Sequence, residues 1–398
     1  MSLITNKSYV DKDVMFYGRN TYDTTTTPSN QVKIVASDAA ADDYFGQSVA
    51  AGSNRIVVGA DGDDDAGAMS GSAYIFNLSG TQLKKITASD ASADAGFGFS
   101  VAIGSGRIVV GAYSEDRGGS FSLGSAYIFD LNGTQIAKII SSTPAQNDNF
   151  AYAVAVGCGR VVAGSQDVST SPASSGSIEI FDLNGNRIAK IKASDAAASD
   201  YFGRSVSVGS GRIVVGAYLD DDLGSNSGSA YILDLNGNQL AKIKASDGAA
   251  DDQFGASIAV ESGRIVVGAP FDDDNGTSSG AAYIFDLNGT QLAKIKASDA
   301  AAGDQFGISV AIGSGRIVVG AIGDDSSRGS AYVFDLDGTQ RAKITASDGA
   351  NFNYFGKSVG VASGRIVSGA YYHNSSRGAA YIYTTPNQPH ILDILDNN

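Results

Sequence analysis

Short apolar runs recur along the chain, separated by segments rich in Gly, Asp, Asn and Ser. Four kinds of run follow one another in a fixed order, and each has the length and the β-branched or aromatic content of a strand. We denote them strands A to D. Typical examples are FGISVAIG (306–313) for A, RIVVGA (316–321) for B, GSAYIFDL (124–131) for C and QLAKIKA (239–245) for D. The pattern predicts an all-β fold built from repeated four-stranded units.

The pattern within each strand also predicts its place in the unit. Strand B is continuously apolar, as expected of a strand buried on both faces. The alternating Lys residues of strand D suit an outermost strand with one wet side and a charged edge. The GSG link between A and B and the LNG link between C and D are short enough for hairpins. Each unit is therefore predicted to be an antiparallel meander.

The dipeptide Phe-Gly marks the repeat. With a degenerate Phe150-Ala151 included, it occurs seven times at intervals of 49 to 53 residues, and a Gly follows each Phe by 14 residues. One such unit cannot bury its apolar faces alone, so the units must stack. Seven stacked units predict a seven-bladed β-propeller with four-stranded antiparallel blades. The seven Phe residues are Phe45, Phe97, Phe150, Phe202, Phe254, Phe306 and Phe355.

The two ends of the repeat array complement each other. The seventh unit ends after strand C, where Pro386 replaces the usual Asn-Gly turn, and no strand D follows. Residues 31–36, QVKIVA, have the pattern of a strand D with no unit before them. We expect this segment to pair with the last blade and to close the ring. The predicted division is an N-terminal arm (1–30), the propeller (31–384) and a C-terminal tail (385–398).

These motifs resemble the FG-GAP repeat of integrin α-subunit propellers, and are similar above all to its bacterial and viral variety. The resemblance rests on Phe-Gly followed 14 residues later by Gly-Ala, once as Gly268-Ala269-Pro270, and it covers residues 31–384. It implies the propeller fold and says much less about function. Integrin-type repeats carry a calcium loop between strands A and B, where this chain has only GSG or GSN. The calcium ligands of that family are therefore not carried over to these positions.

Composition narrows the possible partners. The formal charge is −14, which disfavours nucleic acid and anionic membranes and favours cations or basic surfaces. The single cysteine, Cys158, excludes an internal disulfide framework. No apolar run has the length of a signal-peptide core or a membrane span. We therefore expect a protein made in the cytoplasm, with neither a nucleic-acid partner nor membrane insertion.

Most of the acidic residues fall in the B–C loops and the D–A links, which a meander places on one face of the ring. Clustered Asp with Asn and backbone carbonyls offers the hard oxygen ligands that Ca²⁺ prefers. Alternatively, these residues only form turns and keep the surface soluble, and no loop has EF-hand spacing. The candidate metal ligands are Asp61, Asp63, Asp65, Asp220, Asp221, Asp222, Asp272, Asp273 and Asp274.

Two further sets of repeated residues are predicted to be structural. The Asp of the ASD motif stands seven residues before Phe in six units, and it is expected to shape the turn from one blade to the next rather than to bind a ligand. An Arg follows each Phe by ten residues and is expected to bridge backbone carbonyls or carboxylates where blades meet. The ASD residues are Asp38, Asp90, Asp195, Asp247, Asp299 and Asp348.

The sequence offers little for catalysis. Its two histidines, His373 and His390, have no recognisable nucleophile partner, and we expect no enzymatic activity. A polysaccharide-acting enzyme that uses two carboxylates is the least favoured alternative.

The favoured hypothesis is a structural or adhesion protein of a bacteriophage particle, either a capsid decoration or a tail or fibre component. It would present its acidic loop face to a host or partner and would contact other virion proteins through residues 1–30 and 385–398. The alternative is a bacterial extracellular adhesin that binds a glycan or a protein, with or without Ca²⁺.

Overall fold

The computed structural model describes residues 30–166 and 172–385. Each run of four antiparallel strands in this part of the chain forms its own sheet, and there are seven such sheets. The seven-bladed β-propeller predicted from the repeat is therefore confirmed. The predicted arms, 1–30 and 385–398, lie outside the described residues apart from Asn30 and Thr385.

The strands follow the predicted order A to D in every blade. The first strand, β1 (Val32–Ile34), belongs to the last blade. Blade one contains β2 (Ser48–Gly52), β3 (Arg55–Ala60), β4 (Ser72–Phe76) and β5 (Gln82–Ile86). Blade two contains β6 (Phe97–Gly104), β7 (Arg107–Ala112), β8 (Ser125–Asp130) and β9 (Gln135–Ile139). Blade three contains β10 (Val154–Gly157), β11 (Arg160–Ser165), β12 (Ser177–Phe181) and β13 (Arg187–Ile191).

The remaining blades repeat this arrangement, and two of their B–C loops contain a short turn, labelled α1 (Asp324–Ser327) and α2 (His373–Ser376), whose last three residues have left-handed φ values of +50 to +62°. Blade four contains β14 (Ser205–Gly209), β15 (Arg212–Ala217), β16 (Ser229–Leu233) and β17 (Gln239–Ile243). Blade five contains β18 (Ser257–Glu261), β19 (Arg264–Ala269), β20 (Ala281–Asp286) and β21 (Gln291–Ile295). Blade six contains β22 (Phe306–Gly313), β23 (Arg316–Ala321), α1 (Asp324–Ser327), β24 (Ser330–Asp335) and β25 (Gln340–Ile344). Blade seven contains β26 (Val359–Ala362), β27 (Arg365–Ala370), α2 (His373–Ser376) and β28 (Ala379–Thr384). Neither helix in the described residues has the length and apolar character needed to cross a membrane.

The Phe-Gly dipeptide is an anchor rather than a regular part of strand A in most blades. Phe45 is fully buried and packs edge-on against Tyr74 and Phe76 of the same blade, with ring centroids 5.4 and 5.9 Å apart. The Gly that follows, Gly46, has a φ of +97°, which strains any residue with a side chain. Strand A begins after the dipeptide in five blades, later than the sequence predicts, whereas in blades two and six it begins at the Phe and shifts register at the Gly.

Neighbouring blades approach each other through backbone at strand B. A Cβ on Gly59 would lie less than 3.0 Å from the carbonyl oxygen of Gly98 in the next blade. The equivalent Gly of every other blade faces the next Phe-Gly (or Phe-Ala) carbonyl in the same way, and Gly369 of blade seven faces Gly46 of blade one. The Gly that follows each Phe by 14 residues is therefore required by blade packing. These residues are Gly59, Gly111, Gly164, Gly216, Gly268, Gly320 and Gly369.

The repeated Arg bridges blades in three of the seven units, at Arg107, Arg160 and Arg365. In the other four units, Nε of the Arg is buried without a hydrogen-bond partner in the described structure, so the prediction is confirmed only in part. Arg107 Nε donates to the carbonyl of Leu183 in the next blade at 3.1 Å, and Arg160 Nε donates to that of Leu235 at 3.0 Å. These hydrogen bonds tie strand B of one blade to the C–D turn of its neighbour.

The ring closes by pairing between the two ends of the propeller. Strand β1 is antiparallel to β28, with Val32 opposite Ile382 and Ile34 opposite Ala380. Ile34 is 4% exposed and packs into the apolar cluster shared by blades seven and one. The predicted closure is confirmed, and it supplies the strand D that blade seven lacks.

Replacing Ile34 by Ala should lower the free energy of unfolding by about 2–5 kcal/mol, because it leaves a cavity at the closure of the ring. The matched control is Val32→Ala on the same strand, where the side chain is 38% exposed and the loss should be under about 1 kcal/mol. Urea denaturation measures both changes. Equal losses for the two variants would show that β1 is not anchored as described.

Candidate functional site

The acidic residues of blade one form an ionic cluster around a lysine. Lys85 Nζ lies 2.8 Å from carboxylate oxygens of both Asp38 and Asp63, and it also contacts Asp65. The hydroxyl of Tyr74 lies 2.9 Å from Asp38 Oδ1 and 2.8 Å from Asp63 Oδ2, so its single proton is shared between the two carboxylates. The D–A link, the B–C loop and strands C and D of the blade are therefore held together by one set of polar contacts.

The same cluster recurs around the ring with small substitutions. In blades four and five the lysine contacts three carboxylates at 2.7 to 2.8 Å, as in blade one. Glu115 takes the place of the buried Asp in blade two, and His373 takes it in blade seven. The sets in blades four and five are Asp195, Asp220, Asp222, Tyr231 and Lys242, and Asp247, Asp272, Asp274, Tyr283 and Lys294.

Electrostatics favours the charged state of these clusters. Partial burial opposes ionisation of Asp38, but hydrogen bonds from Lys85 and Tyr74 outweigh it and lower the pKa of Asp38. The hydrogen bond from Lys242 is the main cause that lowers the pKa of Asp222. Because these pKa values lie below those of the unfolded chain, the stabilisation is present at neutral pH and is lost as the pH falls through them.

The structure brings together only part of the predicted metal-ligand set. In blades one, four and five, two predicted ligands and one aspartate of the ASD motif contact the same lysine. The pairs of predicted ligands are Asp63 with Asp65, Asp220 with Asp222, and Asp272 with Asp274. Asp221 and Asp273 instead accept backbone N–H groups of Asn226 and Ser278 at 2.8 and 2.6 Å, inside their own loops. Asp61 lies away from all of these clusters, near the axis of the ring.

The carboxylates in two of these clusters have the chemistry and spacing of a cation site. The oxygens of Asp38, Asp63 and Asp65 lie within 4.8 Å of one another, as do those of Asp195, Asp220 and Asp222. The lysine ammonium, however, contacts the same oxygens, so a Ca²⁺ ion would have to displace it. Calcium binding stays a prediction for these residues, and the lysine is the competitor that the ion would meet.

Replacing Lys242 by Met should lower the free energy of unfolding by about 3–5 kcal/mol, because buried Asp220 and its two partners lose their shared counter-charge. The same change should open the cluster to a cation. Ca²⁺ should then raise the thermal midpoint of the variant by more than that of the parent chain, where the lysine competes with the ion. Urea denaturation and thermal melting measure the two effects.

Lys244→Met is the matched control, because Lys244 is more exposed and contacts only Asp222, at 3.3 Å. Its loss should be under about 1 kcal/mol. Similar losses for both lysines, or equal stabilisation of the parent chain by Ca²⁺, would contradict the assigned role of Lys242.

A second group of side chains meets at the axis of the ring. The residue after each Phe-Gly (or Phe-Ala) lines one cavity of about 250 Å³, together with residues of the B–C loops and D–A links such as Tyr218, Gln253 and Phe271. We call this cavity the axial mouth. The seven residues after the dipeptide are Gln47, Phe99, Tyr152, Arg204, Ala256, Ile308 and Lys357.

The axial mouth is the place where the repeats differ most. Strand B reads RIVVGA in five of the seven blades, whereas the position after Phe-Gly holds a different residue in every blade. Strand B is buried between sheets, so packing restricts its side chains. The side chains of the axial mouth surround a cavity and are only partly buried, so packing restricts their identity less.

Aromatic rings form one wall of the axial mouth. The guanidinium carbon of Arg204 lies 3.6 Å from the ring centroid of Tyr152 and 5.7 Å from that of Tyr218. Phe99 extends this wall, with ring centroids 4.7 Å from Tyr152 and 4.3 Å from Tyr113. Arg204 is thus held against aromatic faces, a favourable arrangement for a planar cation.

A further arc of tyrosines comes from blades one and seven. The rings of Tyr371 and Tyr372 are 4.2 Å apart, and both contact Tyr44 and Tyr354 at 5.5 to 6.2 Å.

Polar groups at the axis lack partners. Among the described residues, Asp61 Oδ1 and Gln47 Oε1 are buried and accept no hydrogen bond. Burial raises the pKa of Asp61 to about 6. Burial, reinforced by nearby Arg204, lowers the pKa of Lys357. Buried polar groups are normally hydrogen-bonded, so these two atoms are exceptions within the described structure.

The sequence analysis did not find the axial mouth. An internal repeat is recognised from positions that hold the same residue in every unit. The position after Phe-Gly holds a different residue in each unit, so it does not contribute to the repeat. The available signal was the contrast itself, since seven different residues occupy one position in an otherwise uniform array.

Comparison with known proteins supports the repeat assignment. The sequence model of the FG-GAP repeat matches residues 28–76, 81–129, 186–233, 238–285, 290–334 and 339–383. The unmatched stretch contains most of blade three, which departs from the repeat at three positions. Phe150-Ala151 replaces Phe-Gly, Glu179 replaces the Tyr of strand C, and Thr143 replaces the Asp of the ASD motif. No curated protein matches the chain.

Proposed function

Because the chain belongs to the FG-GAP repeat family, whose propeller fold suits binding or adhesion, we propose that it is a non-catalytic binding protein with the axial mouth as its ligand site. The observation that carries this proposal is the convergence of seven different side chains in one cavity of a ring that is otherwise uniform. A small set of varied polar and aromatic groups in a concave site is typical of ligand recognition.

The acidic loops are the competing surface, and their contacts favour a structural role. In blades one, four and five the clustered carboxylates already accept hydrogen bonds from a lysine and a tyrosine. A partner would have to replace these contacts, which bind the D–A link to its blade. The axial mouth requires no such exchange.

The composition of the axial mouth supports a non-catalytic role. Hydrolysis of a glycosidic bond normally needs two carboxyl groups on opposite sides of the bond. The side chains that line the cavity include two cations and no carboxylate. Asp61 is the acid that influences Lys357, and one carboxylate does not form such a pair.

We propose a bacteriophage particle as the setting, with the loop face turned toward the host surface. The proposal draws on the likeness to the bacterial and viral form of the repeat. Residues 1–30 and 385–398 would contact other virion proteins. A bacterial extracellular adhesin is the alternative setting, and it would use the same binding site.

Replacing Tyr152 by Ala should weaken binding of the labelled chain to bacterial surfaces by at least about tenfold, because it removes the wall that holds Arg204. Binding to a panel of cells and to their extracted surface polysaccharides measures this. Phe121→Ala is the control, since this aromatic side chain is 59% exposed on a B–C loop of the same face and does not line the axial mouth. Thermal melting checks that both variants fold. A loss with Phe121→Ala but not with Tyr152→Ala, or no binding to any surface, would contradict the proposal.

Mass spectrometry of purified virus particles tests the setting. We expect peptides of this chain in the particles, at a constant ratio to known structural proteins through successive purification steps. Complete absence from particles would exclude the virion setting, and detection on bacterial surfaces would then favour the adhesin.

A further inference from the structure

We infer that the axial mouth binds one carboxylate-bearing sugar residue, such as a terminal uronate of a surface polysaccharide. This inference rests on the proposed function and adds the chemical class of the ligand. It is argued from the charge, the size and the surface chemistry of the cavity.

The cavity carries a net positive charge. Arg204 and Lys357 both line it, and Arg204 makes no ion pair with any residue in ranges 30–166 and 172–385. Lys357 has one acidic neighbour, Asp61, whose charge acts on it without a direct ion pair. In a chain with a formal charge of −14, two such cations in one cavity are a specific feature. Desolvation makes an unpaired cation costly, and an anionic ligand would relieve this cost. The ligand is therefore expected to carry a negative charge.

The orientation of Arg204 favours a carboxylate. Its guanidinium lies against the Tyr152 ring at 3.6 Å. One of its N–H groups hydrogen-bonds to the Tyr152 side chain, and because a guanidinium has five N–H donors, others remain for a ligand. Two parallel N–H groups match the two oxygens of a carboxylate.

The size of the cavity points to a single small unit. Its volume of about 250 Å³ is below the ~300–1,000 Å³ of pockets that enclose drug-sized molecules. One sugar ring or one amino-acid side chain matches this volume. The remainder of a polymer would lie outside, over the loops.

The walls of the cavity favour a sugar ring. Tyr152, Phe99 and Phe271 offer aromatic faces, against which the C–H face of a pyranose can be buried. Gln47 and Gln253 line the cavity and offer amide groups for hydroxyls. A ring with one apolar face, several hydroxyls and one carboxylate satisfies all of these groups.

The acidic surroundings restrict the charge of the ligand further. The B–C loops and D–A links around the axial mouth contain many of the 42 acidic residues of the chain. Their field repels polyanions over roughly the ~8 Å Debye length at physiological ionic strength. A single terminal carboxylate can reach the two cations, whereas a densely charged polymer is opposed along its length.

The test compares matched pairs of trisaccharides by isothermal titration calorimetry. Each pair ends in glucuronate or glucose, or in galacturonate or galactose, so that the members differ only in the carboxylate. For at least one pair, the acidic member should bind the full-length chain at least about tenfold more tightly than the neutral member. Arg204→Ala should reduce the affinity for the acidic member to that for the neutral one, and Arg204→Lys should restore part of the difference.

Arg328→Ala is the matched control. Arg328 is an exposed cation in a B–C loop on the same face, paired with Asp325 at 3.2 Å, and its loss should leave the preference for the acid unchanged. Melting midpoints of all variants establish that they are folded.

Equal affinity for the acidic and neutral sugars, no binding of any uronate, or tighter binding of a peptide with a free C-terminal carboxylate would overturn the inference. So would uronate binding that survives Arg204→Ala. If Tyr152-dependent binding to bacterial surfaces persists while every uronate fails, the axial site stands and only the ligand class is wrong.

Discussion

The close approach of backbone to backbone between neighbouring blades is the constraint on which this structure depends. The Gly of each strand B faces the Phe-Gly (or Phe-Ala) carbonyl of the next blade, and no Cβ fits between them. Seven such contacts close the ring, including the one from Gly369 to Gly46. Within each blade the A–B hairpin fixes the spacing between Phe and this Gly, as where Gly46 N–H donates to the carbonyl of Gly59 at 2.9 Å. The fixed 14-residue interval in the sequence is a direct record of this packing.

The acidic character of the loop face follows from the same need to fasten blades. A lysine on the outermost strand, a tyrosine on strand C and carboxylates from the loop and the link form one cluster per blade in most of the ring. The clustered carboxylates that suggest a cation site are thus largely paired with a lysine and a tyrosine of the same blade. At the axis, by contrast, the position after Phe-Gly (or Phe-Ala) holds a different residue in every blade.

The fold could be predicted from the sequence because equivalent packing positions in each blade require the same residue types. The repeat is therefore visible in the sequence. Residues 31–36 have the pattern of a strand D with no strands A to C before them. This pattern predicted the ring closure that β1 and β28 form. The sequence predicted that the loop aspartates cluster, but it did not predict their lysine partner. Asp38 and Lys85 are 47 residues apart, and no local pattern shows that they are in contact. The axial mouth was missed because its residues share no letter, and only the closed ring shows that they surround one cavity.

Difference electron density from crystals of the chain soaked with a uronate-terminated trisaccharide would test the central claim most directly. The account predicts density for one sugar ring in the axial mouth, with its carboxylate at Arg204 and its ring against Tyr152. Density confined to the outer loops around Lys85, Lys242 or Lys294, or on the face of the A–B turns, would contradict it.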